Sequence, residues 1–145
     1  MNTNKELKPP SPCSCTNIRR ASHALTLLYD KLLAPSGLKV TQYSLLRHLH
    51  HLGPVTMNEL SQATRLERTT LVRNLKLLEQ AGLIRITPTS ASQAKQVCIT
   101  DAGIQALEVA LPYWQKAQRS TKDLFSEEEF QVFRGALQKI ESVLS

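Results

Sequence analysis

Thr56–Gly82 reads TMNELSQATRLERTTLVRNLKLLEQAG. It opens with Thr-x-x-Glu (Thr56, Glu59), a pairing in which the threonine hydroxyl accepts from the first helical turn and the glutamate reaches back. Leu60 and Ala63 form a short apolar stripe, and Thr64-Arg65-Leu66 interrupts it. A second helix is predicted to start near Glu67, whose negative charge suits a helix N-terminus. It runs to Ala81 and stops at Gly82, a residue that tolerates the left-handed conformation on which helices often end. A short helix, a tight turn and a longer helix together make a helix-turn-helix.

Geometry sharpens the assignment of the second helix. At about 100° per residue, Leu71, Leu75 and Leu78 fall within about 60° of one another and form a seam to be buried. Thr69, Arg73 and Lys76 cluster on the opposite side, with no acid among them. A polar helix face is often simply solvated. This one is cationic, has threonines near its N-terminal end, and belongs to a motif that presents that end to DNA base edges. It is the expected recognition helix.

The segments on either side extend the pattern. Thr16–Leu33 carries Ile18, Ala21, Leu25, Leu28 and Leu32 at helical spacing, and Pro35-Ser36-Gly37 ends it. A helix over Gln42–Leu52, capped by Thr41, carries Leu45, Leu46, Leu49 and Leu52, and Gly53-Pro54 stops it. After Gly82, Leu83–Thr87 and Gln96–Thr100 read as two short strands joined by the small, polar residues 88–95, a β-hairpin. A hairpin placed there is a wing, which usually supplies backbone or minor-groove contacts beside the recognition helix. Asp101-Ala102-Gly103 begins another helix with Ile104, Leu107, Ala110 or Leu111, and Trp114 on one side, and Pro112 is expected to kink or restart it. Ser126-Glu127-Glu128-Glu129 is a capping box for a last helix edged by Phe130, Phe133, Leu137, Ile140 and Leu144.

These readings give a mainly α fold, a winged helix-turn-helix with a small hairpin wing. Residues 1–14 form a disordered tail, 37–100 the DNA-binding lobe, and 15–36 with 101–145 a helical dimerisation region. The terminal helices are amphipathic yet flank a compact module that needs only one core, so a second copy is expected to cover them. Two-fold symmetry then sets two recognition helices about one DNA turn apart.

Composition agrees. The 145 residues are enough for one domain with a real core, and 41% hydrophobic with 21% charged residues is ordinary for a globular chain. Net charge is +6 and the pI about 9.5, in the range of nucleic-acid binders. No apolar run approaches a membrane span, and the start lacks a signal-peptide core, so a cytoplasmic protein is expected. Three cysteines are too few for a disulfide scaffold and are expected reduced.

From about Ile18 to Leu144 the chain resembles the multiple-antibiotic-resistance regulator (MarR) family of winged-helix repressors. The resemblance rests on VTQYSLLRHLHHLGPVTMNELSQATRLERTTLVRNLKLLEQAGLIR, residues 40–85, followed by the hairpin and Ile99-Thr100-Asp101-Ala102-Gly103. Leu60-Ser61, Thr69-Thr70 with Arg73, and Leu78-Glu79-x-x-Gly82-Leu83-Ile84 carry it in order. It implies an obligate homodimer joined through the terminal helices, a roughly palindromic operator, and relief of repression by a small ligand or by oxidation. Carried over by position, Arg68, Thr69, Thr70 and Arg73 would contact DNA. Family wings typically hold an Asp-x-Arg or Asp-Arg-Arg cluster. Here Thr89–Lys95 holds neither residue type, and Lys95 is the loop's one cation. Lysine is a poorer minor-groove probe than arginine, so recognition should lean on the helix.

Candidate sensors follow. Cys13 and Cys15 lie where the tail meets the first helix, near Arg19 and Arg20, and a thiolate there is favoured as a nucleophile. Two incidental exposed thiols are the plainer alternative. Cys98, in a wing strand, is expected to be a buried small hydrophobe. His48, His50 and His51 lack a carboxylate or cysteine at ligand spacing and are expected to be surface or interface residues, with no metal site. His23, Tyr43 and Trp114 are candidate liners of the ligand pocket that the resemblance places between dimer helices and DNA-binding lobe, although aromatics at helical spacing are more often core.

An enzyme is not expected. There is no Gly-rich phosphate loop, nucleophile elbow, metal-ligand cluster or convincing acid–base pair, so no catalytic residue and no cofactor is assigned. The competing class is a winged-helix protein-interaction or RNA-binding module, which can do without a two-fold axis; the basic recognition face and dimer-like ends argue against it.

Overall fold

The computed structural model describes residues 6–88 and 94–144. Among them the elements run α1 (Ser14–Leu33), α2 (Val40–Leu52), β1 (Val55–Thr56), α3 (Met57–Thr64), α4 (Arg68–Gln80), β2 (Ile84–Pro88), β3 (Lys95–Ile99), α5 (Asp101–Lys122) and α6 (Glu127–Glu141). A 3-10 turn, Ala34–Ser36, links α1 to α2 and another, Ser142–Leu144, follows α6. The three strands form one antiparallel sheet in the order β1-β3-β2. Helices and hairpin therefore stand as the winged helix-turn-helix reading expects.

The core lies where α2, α3, α4 and the sheet converge. Leu45, Leu46 and Leu49 of α2, Leu60 of α3, Leu71, Leu75 and Leu78 of α4, and Ile84 and Val97 of the sheet are buried together. The leucine seam of α4 is thus the one its periodicity predicts, whereas Leu52, expected on the same stripe as Leu49, is exposed at the end of α2.

Helix starts show where local signals succeed and where they fail. α1 begins at Ser14 rather than Thr16, with Cys13 in the N-cap position. Ser11 and Asn17 close the approach to it: the Ser11 amide donates to Asn17 Oδ1 and Asn17 Nδ2 donates to the Ser11 carbonyl, each at 2.8 Å. α2 is not capped by Thr41. It starts at Val40, whose amide donates to Asp30 Oδ1 at 2.9 Å, and the Lys39 amide donates to Gln42 Oε1 at 3.0 Å. With the start moved back, a carboxylate from α1 satisfies the amide of the first helical residue.

α5 runs unbroken past Pro112, so the expected restart does not occur. Proline removes only the bond to the Glu108 carbonyl, and both residues are exposed, so water can replace the missing donor. The start of α5 explains Ile99-Thr100-Asp101-Ala102-Gly103. Thr100 accepts from the Gly103 amide at 3.1 Å, donates from its hydroxyl to the Gly82 carbonyl at 2.7 Å, and donates its amide to Leu83 O at 3.1 Å. Gly103 passes so close to β2 that a Cβ there would overlap Leu83 O and lie 2.6 Å from Ile99 Cγ1. One helix cap thus clamps the end of α4, the wing and α5 together.

The outer helices are less covered. On α1 the buried residues are Tyr29 and Leu33, while the predicted stripe of Ile18, Ala21, Leu25, Leu28 and Leu32 is half-buried or exposed. α6 has no buried residue. No helix of the described residues is long and apolar enough to cross a membrane.

Candidate nucleic-acid interface

The first helix of the motif is held at its start by the predicted capping box. The Glu59 amide donates to Thr56 Oγ1 at 3.2 Å and the Thr56 amide donates to Glu59 Oε2 at 3.1 Å. α3 ends in a tight turn at Arg65, whose φ of 56° lies in the left-handed region and whose amide donates to the Ser61 carbonyl at 2.9 Å. A side chain there is strained relative to glycine. α4 then starts with Glu67 in the N-cap position, and no side chain caps its amides.

With Leu71, Leu75 and Leu78 turned into the core, the rest of α4 faces outward. Arg68, Thr69, Arg73 and Lys76 are exposed and Thr70 is half-buried. Arg68 Nη1 donates to Asn58 Oδ1 of α3 at 3.2 Å, and Asn74 Nδ2 donates to the Thr70 carbonyl at 2.8 Å. The polar face read from the sequence is therefore exposed at Thr69, Arg73 and Lys76, with Arg68 beside it at the start of α4.

The wing is built by β2 and β3 in the register Ile84↔Ile99 through Pro88↔Lys95. Lys95 is exposed at its base, and residues 89–93, the remainder of the loop in which the arginine departure falls, lie outside the described residues. β1 was missed from sequence because two residues after Gly53-Pro54 carry no alternation to detect. It pairs Val55 with Val97 and Thr56 with Gln96, tying the first turn of α3 directly to the wing. That pairing brings Lys95, Arg68 and Asn58 into the lining of one groove. Asn58 is a residue the sequence offered no reason to single out.

The candidate sensor residues are dispersed. Tyr43 is buried and stacks on half-buried Trp114 with ring centroids 5.5 Å apart, and Arg47 Cζ lies 4.5 Å from the Trp114 ring centroid. Burial pushes the Tyr43 phenol up, against a smaller opposing effect of Arg47. A groove of about 240 Å³ runs beside this stack between α2 and α5, lined by Tyr43, Arg47, His50, Leu107 and Glu108 among others. Neither His23, exposed on α1, nor Trp114 lines it. His48 Nδ1 is 2.7 Å from the Ser44 carbonyl, and no group of three or more ligating side chains gathers among the described residues.

Cys13 and Cys15 are exposed free thiols. A hydrogen bond from the Thr16 side chain, then one from its backbone, lowers the Cys13 thiol below the ordinary thiol range. Cys98 is not buried as expected. It is half-buried, with Sγ 3.7 Å from the Arg85 carbonyl, because its position in β3 alternates with Val97 and turns away from the core.

Comparison with known proteins agrees with this architecture. Residues 36–93 match the model of the MarR family. The M. tuberculosis transcriptional regulator MosR, solved in complex with DNA, is 32% identical; the match covers 90% of this chain and 98% of that one, with a TM-score of 0.77. At lower identity the likeness is one of fold. S. aureus MepR in its DNA complex is 21% identical over 92% of this chain and 99% of its own, TM-score 0.78. Bordetella bronchiseptica BpsR, solved to explain how 6-hydroxynicotinic acid regulates its DNA binding, is 19% identical over 92% and 98%, TM-score 0.81. No match is found among curated proteins. The capped helix-turn-helix, the exposed cationic face of α4 and these likenesses together assign the chain to the MarR family of DNA-binding, winged-helix transcriptional regulators.

Proposed function

We propose that the protein is a homodimeric repressor of a pseudo-palindromic operator, released from DNA by a small ligand or by thiol oxidation. The observation that carries this reading is the exposed face of α4 with Thr69, Arg73 and Lys76 on it, set against its fully buried leucine seam. Arg68, Thr69, Thr70, Arg73 and Lys76 face the major groove, and Lys95 contacts the backbone from the wing. MosR, solved with DNA, supports DNA as the partner.

Dimerisation is supported by what one chain leaves open. Val132 and Val143 are 71% and 78% exposed at the C-terminal end, alongside exposed Leu137, Ile140 and Leu144. A second copy that buried this edge with the stripe of α1 would gain about 25 cal/mol for each Å² of apolar surface covered.

Release has two routes. BpsR is regulated by a small aromatic acid, and in this chain the groove beside Tyr43 and Arg47 is the place for a ligand of that size. In the oxidative route the Cys13 thiolate attacks peroxide to give a sulfenic acid and hydroxide. The Cys15 thiol then condenses with it, forming the disulfide and releasing water. Both residues sit at the start of α1, so closing that ring distorts the turn held by the Asn17 amide on the Cys13 carbonyl at 3.1 Å.

A gel shift with DNA from upstream of the protein's own gene, reduced and after mild peroxide, tests the reading. A footprint about 20 base pairs long is expected, as two half-sites each need about one turn. Absence of any specific complex, or a sedimenting monomer, overturns it in favour of an interaction or RNA-binding module.

A further inference from the structure

Between the start of α3, the start of α4 and the base of the wing lies a groove lined by Thr56, Met57, Asn58, Arg68, Ala94 and Lys95. β1 places it there, because the Thr56↔Gln96 pair sets the first turn of α3 beside the start of β3. When a helix occupies a major groove and a hairpin beside it reaches the flanking minor groove, one sugar–phosphate strand separates the two. On the DNA-binding reading, that strand would cross this groove. Its described lining residues include two cations and no carboxylate. The acid next to Asn58 in sequence, Glu59, is turned back onto the Thr56 amide.

Asn58 is the side chain that the helix-turn-helix itself does not explain. Asparagine near a helix start often bonds a local backbone amide. Here its Oδ1 instead accepts from Arg68 Nη1, ten residues along the chain. That bond sets the orientation of the amide: with oxygen on the guanidinium, the exposed side chain presents two donors at Nδ2. Aspartate would hold Arg68 as well, through an ion pair, but would face a passing phosphate with like charge. Asparagine suits both neighbours.

Resting on the DNA-binding reading, we propose that Asn58 is a DNA-positioning residue. Its carbonyl holds the Arg68 guanidinium over the groove, and its amide donates to a phosphate of the strand crossing between recognition helix and wing, with Lys95 in the same groove lining. Such a contact fixes register on the duplex and carries no sequence information of its own.

The test uses the full-length chain and two probes, a duplex selected by the wild type from random-sequence DNA and a mixed-sequence duplex. Fluorescence anisotropy should show N58A binding both about tenfold more weakly, with the ratio between them retained. N58D should lose more than N58A, although it keeps a partner for Arg68. Ethylation interference on the wild type gives a readout that needs no variant: a blocked phosphate between the two grooves in each half-site. N58A binding within about twofold of wild type, or N58D binding more tightly than N58A, overturns the proposal. So does an interference pattern silent at that phosphate. A wild type that enriches no duplex from the random pool and fails to bind the mixed-sequence one overturns the DNA-binding reading itself, which separates the two failures.

Discussion

Arg65 Nη1 and Glu141 Oε2 lie 2.7 Å apart, joining the corner of the helix-turn-helix to the last turn of α6 across 76 residues of sequence. The two side chains are 70% and 57% exposed, so the pair is screened by water and salt. E141Q should therefore lower unfolding stability by less than about 1 kcal/mol in dilute buffer, and by nothing measurable in about 1 M salt. Urea titration at both ionic strengths checks this. A loss that persists in high salt would mean that the pair does more than a surface ion pair can.

Arg73 is central to the exposed face of α4. R73A should weaken operator binding and make log K against log salt shallower by about 0.9, the signature of one lost phosphate contact. Unchanged slope and affinity would show that this face of α4 does not meet DNA.

Gly103 tests the clamp at the start of α5. The overlap of a new Cβ with Leu83 O is with backbone, which cannot swing aside, so G103A should cost about 1–3 kcal/mol. T100A, which removes the cap on the Gly103 amide, should cost about 1 kcal/mol. Denaturant melts give both values, and a neutral G103A would refute the close approach.

The Cys13 thiol is lowered by Thr16, so its thiolate is favoured in the folded chain. In a C15S/C98S background, iodoacetamide alkylation of Cys13 should persist to lower pH than that of an ordinary thiol. T16V should move the profile back toward higher pH. The linkage has the same sign: whatever stability the interaction contributes is present above the unfolded thiol's range and is lost as pH falls through the folded one. A profile unmoved by T16V would remove Thr16 as the cause.

Separately, C13S/C15S should bind DNA as the reduced wild type does and fail to release it on peroxide treatment. Gel shift decides this, and a double variant that still lets go of DNA would exclude the pair as the sensor.

The amino-acid sequence alone determined those features whose causes lie within a few residues. Thr56 with Glu59 and Ser126 with Glu129 mark helix starts, Gly82 at φ 74° marks an end, and leucines at three and four spacing mark the buried face of α4. Tertiary structure decided what depends on residues that meet only after folding. Asp30 met the Val40 amide at the start of α2, two residues after Pro54 became a strand by pairing with β3, and Cys98 turned away from the core. Tyr43, Arg47 and Trp114 gathered into a stack without His23, and Asn58 found Arg68. Periodicity and caps are written along the chain because the helix repeats every few residues. Partners 10 to 76 residues apart leave no such trace, since the geometry that joins them comes from the packing of whole elements.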